Sequence, residues 1–225
     1  MNLREHFAAE LSQLQIDLTE LGGLVSQAIK QAVSALLERN QKLASQVIEG
    51  DQEINRRRFE WEERALQILA TQTPVAGDLR LIVAGLHLVD ELERIGDHAK
   101  GIARISQLIG QAPLIYQGIP LADMAGVSCS LLDQALISFA TRDPKLAKTV
   151  GLRDSEIDAL YNRVAAELLE IMVASHNNIE QANRLLWAAH NLERIGDRIT
   201  NICERVIFVC TGELAELPDM AVHDQ

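Results

Sequence analysis

Apolar residues recur every three or four positions at the start of the chain, at Phe7, Leu11, Leu14, Leu18, Leu21, Val25, Ile29, Val33 and Leu36. This is the spacing of a helix with one buried face. Asn40 interrupts the pattern and is suited to cap the next helix, which is expected to run to about Thr71 and to loosen at Gly50-Asp51. Thr73-Pro74 breaks that helix, and a third is expected from about Gly77 to Ile109. Gly110–Pro120 holds two glycines and two prolines and reads as a linker, 111–119 at its centre. Three more helices follow, at about Leu121–Thr141, Asp143 to about Ser175, and about Ile179–Val209. Asp143-Pro144 is a strong start signal, a capping Asp followed by Pro at the first helical position. Gly212 and Pro218 close the last helix, and 213–225 are expected to form a loose tail.

The pattern repeats. Leu-Glu-Arg-Ile-Gly-Asp occurs at Leu92–Asp97 and again at Leu192–Asp197, 100 residues later. Arg39, Lys42-Leu43-Ala44, Asp51 and Glu53-Ile54 match Arg142, Lys145-Leu146-Ala147, Asp154 and Glu156-Ile157 at an offset of 103. The second copy is therefore three residues shorter near its hairpin, where a length change is tolerated. The expected architecture is all-α: two tandem antiparallel three-helix bundles related by internal duplication, built from six long helices over 1–110 and 120–212.

Composition fits helices packed on helices, with 48% hydrophobic but only 4% aromatic residues. A net charge of −11 argues against unaided nucleic-acid binding, which needs clustered cations. Cys129, Cys203 and Cys210 form no CxxC pair and suit free thiols in a reducing compartment. The start of the chain is amphipathic, unlike a signal peptide. The most apolar stretch, read as Leu79–Val89, is interrupted by Arg80 and His87 and is too short to span a bilayer. A soluble, cytoplasmic protein is expected.

Each copy of the phrase sets a Glu and an Asp four positions apart, on one helical face, where like charges repel. Ile82, Leu86, Asp90, Glu93 and Asp97 form one stripe that turns from apolar to acidic. In the second copy His190 replaces Asp90, and Asn201 and Glu204 extend the stripe. Turns near residues 75 and 176 would set Asp97 beside Glu53 and Asp197 beside Glu156, with Gly22-Gly23 and Ala125-Gly126 opposite. Oxygen ligands with an occasional imidazole suit Fe, Mn or Mg, and Zn less exclusively. The plainer alternative is an interhelical salt bridge, with Arg56-Arg57-Arg58 level with Glu93; the second unit offers Asp158, Leu160 and Tyr161 there. Gly96 and Gly196 are expected to permit close helix packing.

Other features carry less. His6, His87, His98, His176 and His223 lack metal-ligand spacing, and Trp61 and Trp187 suit core or interface anchors. Asp78 is placed to cap the third helix and Arg80 to meet a neighbouring carboxylate, the functional alternative being an anion or partner contact. No GxSxG, Walker loop, HExxH or nucleophile–base arrangement is present, so an enzyme has little to stand on. A carboxylate-bridged metalloenzyme is the alternative, though its Glu-x-x-x-Asp spacing differs from the Glu-x-x-His of di-iron bundles.

With Gly22–Val25, Gly50-Asp51, Pro74-x-Ala76-x-Asp78-Leu79-Arg80, both Leu-Glu-Arg-Ile-Gly-Asp phrases and Asn201-Ile202-Cys203-Glu204, the chain resembles the PhoU family over nearly its whole length. The resemblance implies two three-helix repeats whose acidic motifs, here Glu93 and Asp97 and Glu193 and Asp197, hold divalent or ferric metal ions (Fe, Zn, Mn or Mg), singly or as a multinuclear cluster. It further implies a homodimeric negative regulator of phosphate uptake and of phosphate-starvation signalling. Such a protein links the ATP-binding subunit of the phosphate ABC transporter to a sensor histidine kinase, and meets the membrane only through those partners. The second unit departs from the pattern at its turn, where Asn177-Asn178-Ile179-Glu180 replace the Asp-Leu-Arg segment.

Overall fold

In a computed structural model, residues 3–213, 216 and 217 are described. Helices α1 (Leu3–Glu38), α2 (Gln41–Gln72) and α3 (Ala76–Ile109) form the first repeat. The second comprises α4 (Leu121–Thr141), α5 (Pro144–Gly151), α6 (Ser155–Ala174) and α7 (Ile179–Thr211). Helices α5 and α6 are one rod divided by a tight 3-10 turn at Leu152–Asp154, so the molecule has six rods and, among the described residues, no strand.

The expected loosening at Gly50-Asp51 does not occur: α2 runs through it. The matching rod of the second repeat tightens instead, next to Gly151, where the Leu217 side chain fills the space a β-carbon would need. Leu217 is also tied down by its backbone N–H, which donates to Glu204 Oε1 at 2.8 Å. The expected tail is therefore anchored at this point; 214, 215 and 218–225 lie outside the described residues.

Both repeats begin their second rod in the same way. Arg39 and Arg142 take left-handed backbone conformations (φ 58° and 53°). The next residues' amides reach back five positions, Asn40 N to Ala35 O and Asp143 N to Ser138 O, both at 2.9 Å. This is a Schellman closure of one helix. Asn40 and Asp143 then cap the next helix through side-chain oxygens, the latter accepting from Lys145 N and Leu146 N.

The two bundles share one apolar core. Helix α3 packs most extensively on α7, and α1 packs on α4. Gly22 serves that contact: a β-carbon on it would overlap Leu136, and nearby Cys129 Sγ lies 3.5 Å from Ser26 O. The most apolar long helix is α4, not the stretch around residues 79–89; it is long and apolar enough to cross a membrane, yet packs against α1 and α7. The linker is fixed by Gln181, which accepts from Ile115 N (2.6 Å) and donates to Pro113 O (3.0 Å).

Candidate metal centres

The repeated phrase lies in the middle of α3 and α7, and its glycines set the geometry around it. A β-carbon on Gly96 would sit 3.1 Å from Ile54 Cδ1, with Asp51 Oδ1 close by. On Gly196 it would overlap Asp154 Oδ1 and come within 3.0 Å of Ile157 Cδ1. Each glycine thus opens room for an aspartate from the preceding rod. Those aspartates, Asp51 and Asp154, were visible as a matched pair in the duplication, but the hairpin arithmetic favoured their neighbours.

Glu53 and Glu156 do not face the acidic motifs. Glu53 lies between Arg56 and Arg57, with its Oε1 2.6 Å and 2.9 Å from their guanidinium nitrogens. Those two cations hold its carboxyl down at about 2. Glu156 is held by Arg153 at 2.7 Å, which also lowers its pKa. The rods pair at the expected level, Ile54 against Gly96 and Ile157 against Gly196, but the facing stripe carries Asp51 with Ile54 and Asp154 with Ile157, and the two glutamates stand one position off it. One helical position turns a side chain by about 100°, enough to take it off the facing stripe.

In the first repeat, Asp51 is 4% exposed. Its Oδ2 receives Lys100 Nζ at 2.5 Å and Asn55 Nδ2 at 3.1 Å, while its buried Oδ1 takes no hydrogen bond. Lys100 also lies 3.4 Å from Asp97 Oδ1. Of the three arginines at this level, Arg58 is the one near the motif: its Nη2 is 2.8 Å from Asp90 Oδ1 and its Nε 2.7 Å from Glu62 Oε1. Arg57 points to Glu53 and to Glu20 on α1. Burial, and then the Asp97 charge, push the Glu93 carboxyl above its ordinary pKa.

The second repeat opens as a cleft of about 520 Å³ lined by Asp154, Asp158, Glu193, Asp197, Tyr161 and Thr200, among others. Burial, followed by Asp197, raises the Glu193 pKa. His190 Nδ1 is 3.2 Å from Glu193 Oε2, and Arg194 Nη1 is 2.8 Å from Asp197 Oδ2. Asn201 lines the cleft but donates to Glu91 Oε1 at 3.3 Å, across the α3–α7 seam. Glu204 is engaged with the Leu217 backbone. Beside them Cys203 is a packed core thiol, its pKa pushed up to about 12 by burial.

Among the described residues, no three His, Cys, Asp or Glu side chains converge closely enough, as placed, to hold one ion. The donor chemistry differs between the repeats. Around the second motif the cleft offers carboxylates and a neighbouring imidazole, which suits a hard or borderline cation. Asp154, Asp158, Glu193 and Asp197 are the cleft's carboxylates, and the Arg194 guanidinium already lies against Asp197. Cations lie against the carboxylates of both motifs, Lys100 and Arg58 in the first repeat and Arg194 in the second.

Asp78 does not cap α3: Val75 is the N-cap and no side chain bonds there. Asp78 stands in the first turn, suited to the helix dipole. The Arg80 guanidinium lies against Gly212, at the C-terminal end of α7, so it meets a helix end in place of the expected carboxylate.

Two three-rod repeats, each carrying the same carboxylate motif on its third rod, define a class of duplicated helical proteins. The PhoU domain matches the chain twice, over residues 18–106 and 121–206, and the chain belongs to the PhoU family. It is similar to the phosphate-specific transport system accessory protein PhoU homologue of Zymomonas mobilis, 36% identical over 92% of this chain and 87% of the relative. The homologue of Pseudomonas putida is 37% identical over 94% of this chain and 83% of that one. The crystal structure of PhoU from Pseudomonas aeruginosa superposes with a TM-score of 0.86 at 35% identity, covering 92% of this chain and all (100%) of that one.

Proposed function

We propose that this chain is a non-enzymatic accessory protein of phosphate-specific transport that restrains phosphate uptake and the phosphate-starvation response. In this reading it works on the cytoplasmic side of the membrane, as a homodimer, between the transporter's ATP-binding subunit and a sensor histidine kinase. The observation that carries the reading is the match of both repeats to relatives named for that accessory role, over nearly the whole chain. Exposed apolar side chains on α6 and α7, Leu169, Val173 and Trp187, support protein contacts there. Metal binding at the acidic motifs is part of the proposal, supported by the raised pKa values of Glu93 and Glu193 and by the oxygen-rich cleft.

Co-purification tests it. The untagged chain should be retained by the ATP-binding subunit of its own organism's phosphate transporter and by the cognate kinase. Retention by neither, with folded protein at micromolar concentration, counts against the adaptor role.

A further inference from the structure

Helix α6 has two faces of different character. Val164 and Leu168 are buried in the bundle. On the far side Asn162, Ala166, Leu169 and Val173 are exposed, at spacings of four, three and four residues. Leu169 is 61% and Val173 77% exposed. That spacing is the seam of a coiled coil, and here it faces away from the molecule's own core. Charges stand beside it, Arg163 next to Asn162 and Glu170 next to Leu169, both exposed. Arg163 lies 3.1 Å from Glu167 in its own helix, and Glu167 also accepts from the Tyr116 hydroxyl of the linker.

This stripe matches a reversed copy of itself. Let a second α6 lie antiparallel against it, with Ala166 opposite Leu169 of the other copy. Two-fold symmetry then repeats that layer, and Asn162 meets Val173 in the layers on either side. Every layer sets a branched apolar side chain against a small or polar one. In the same register Arg163 of each copy stands beside the layers that Glu170 of the other copy flanks. Two opposite-charge pairs therefore bracket the seam.

The equivalent stripe of α2 does not match in this way. At the repeat's offset of 103 its positions are Phe59, Glu63, Leu66 and Ala70. Leu66 is as open as Leu169, at 58% exposed. Laid on α6 in the same register, however, α2 would bring Glu63 onto Leu169 and Glu60 beside Glu170. One carboxylate would lose water against an apolar side chain, and two would repel. Charge thus favours a closed pair of molecules through α6 over a head-to-tail chain through α2 and α6.

We propose that the outer face of α6 is the surface on which two copies of this chain pair, antiparallel and two-fold symmetric, with Ala166, Leu169 and Val173 in the seam and Arg163 and Glu170 bridging the copies. The proposal rests on the homodimer reading above and names its face. Four layers make a short seam, so the pair is reversible.

Sedimentation equilibrium of the untagged full chain across micromolar concentrations should approach the mass of two chains. Leu169→Glu should keep the helical circular dichroism and abolish association, whereas Leu66→Glu, the equivalent change on α2, should leave association intact. Glu170→Arg should weaken it about tenfold, because two pairs become two like-charge contacts. Adding Arg163→Glu to Glu170→Arg should restore most of the loss, since the pairs re-form with their signs exchanged. Should Leu169→Glu fold poorly, this charge exchange decides alone. A dimer unchanged in Leu169→Glu and Glu170→Arg overturns the α6 face and leaves the homodimer standing. A wild type that stays monomeric at every concentration overturns both. Growth beyond two chains that Leu66→Glu suppresses overturns the closed pair.

Discussion

Gly196 is the residue on which the second motif is built, because its missing β-carbon is the space into which Asp154 fits. Gly196→Ala forces Asp154 and Ile157 aside, and overpacking of this kind costs about 1–3 kcal/mol, read as a lower midpoint in urea. Gly50 gives the opposite result. It stands inside α2 with nothing within 4 Å of a built β-carbon. Gly50→Ala should therefore stabilise by about 0.5–1 kcal/mol. Glu53 makes a prediction about pH. Its carboxyl sits near 2 in the folded protein against an ordinary 4.5, so the folded state holds the ionised form more strongly. The contribution is complete above pH 4.5 and disappears as pH falls from there towards 2. Glu53→Gln should flatten that part of the stability profile, and high salt should shrink the difference, since the pair is exposed. The glycines and the repeated carboxylates were legible in the sequence. Which acid each glycine receives was not, because turn positions give the level along the rod but not its rotation, and one position, about 100°, separates Glu53 from Ile54 on the stripe that carries Asp51.

Among the elements, the helix starts at Asn40 and Asp143 form where the sequence placed them, because their capping chemistry is local. The left-handed Arg39 and Arg142 before them had no such signal; glycine is the usual choice there, and only the paired backbone bonds reveal the closure. Arg142 is exposed and makes a direct test. Arg142→Gly should raise stability by about 1 kcal/mol, the order of the left-handed penalty for a residue with a side chain; an unchanged or lower melting temperature would show that its aliphatic stem does compensating work. The division of the fifth rod at Leu152–Asp154 was also hidden. It is tertiary in origin, arising where Leu217, 13 residues beyond its partner Glu204, returns to pack on Gly151.

At the scale of the molecule, the periodicity and the duplicated phrase establish six rods in two repeats, but not how the repeats meet. The seam is antiparallel and nearly self-matching. Glu91 meets Arg198, and at the equivalent position Asn191 Oδ1 meets His98 Nδ1 at 3.0 Å. Because Asn191 gives its amide hydrogens to Trp187 O, its oxygen faces the ring, and His98 is the donor there, carrying its proton on Nδ1. Burial lowers the His98 pKa and favours that neutral form. The seam is thus ionic at one end and neutral at the other, and it ties Arg198 and Asn201, both in the second cleft, to Glu91 of the first repeat. An event in the second cleft has a physical route to α3. The central claim remains that the whole molecule restrains the phosphate response. Its most direct test is transcription of a phosphate-starvation reporter in phosphate-replete cells from which this chain has been deleted. The account predicts high expression, returned to the repressed level by the full chain supplied on a plasmid; expression that stays repressed in the deletion strain would contradict it.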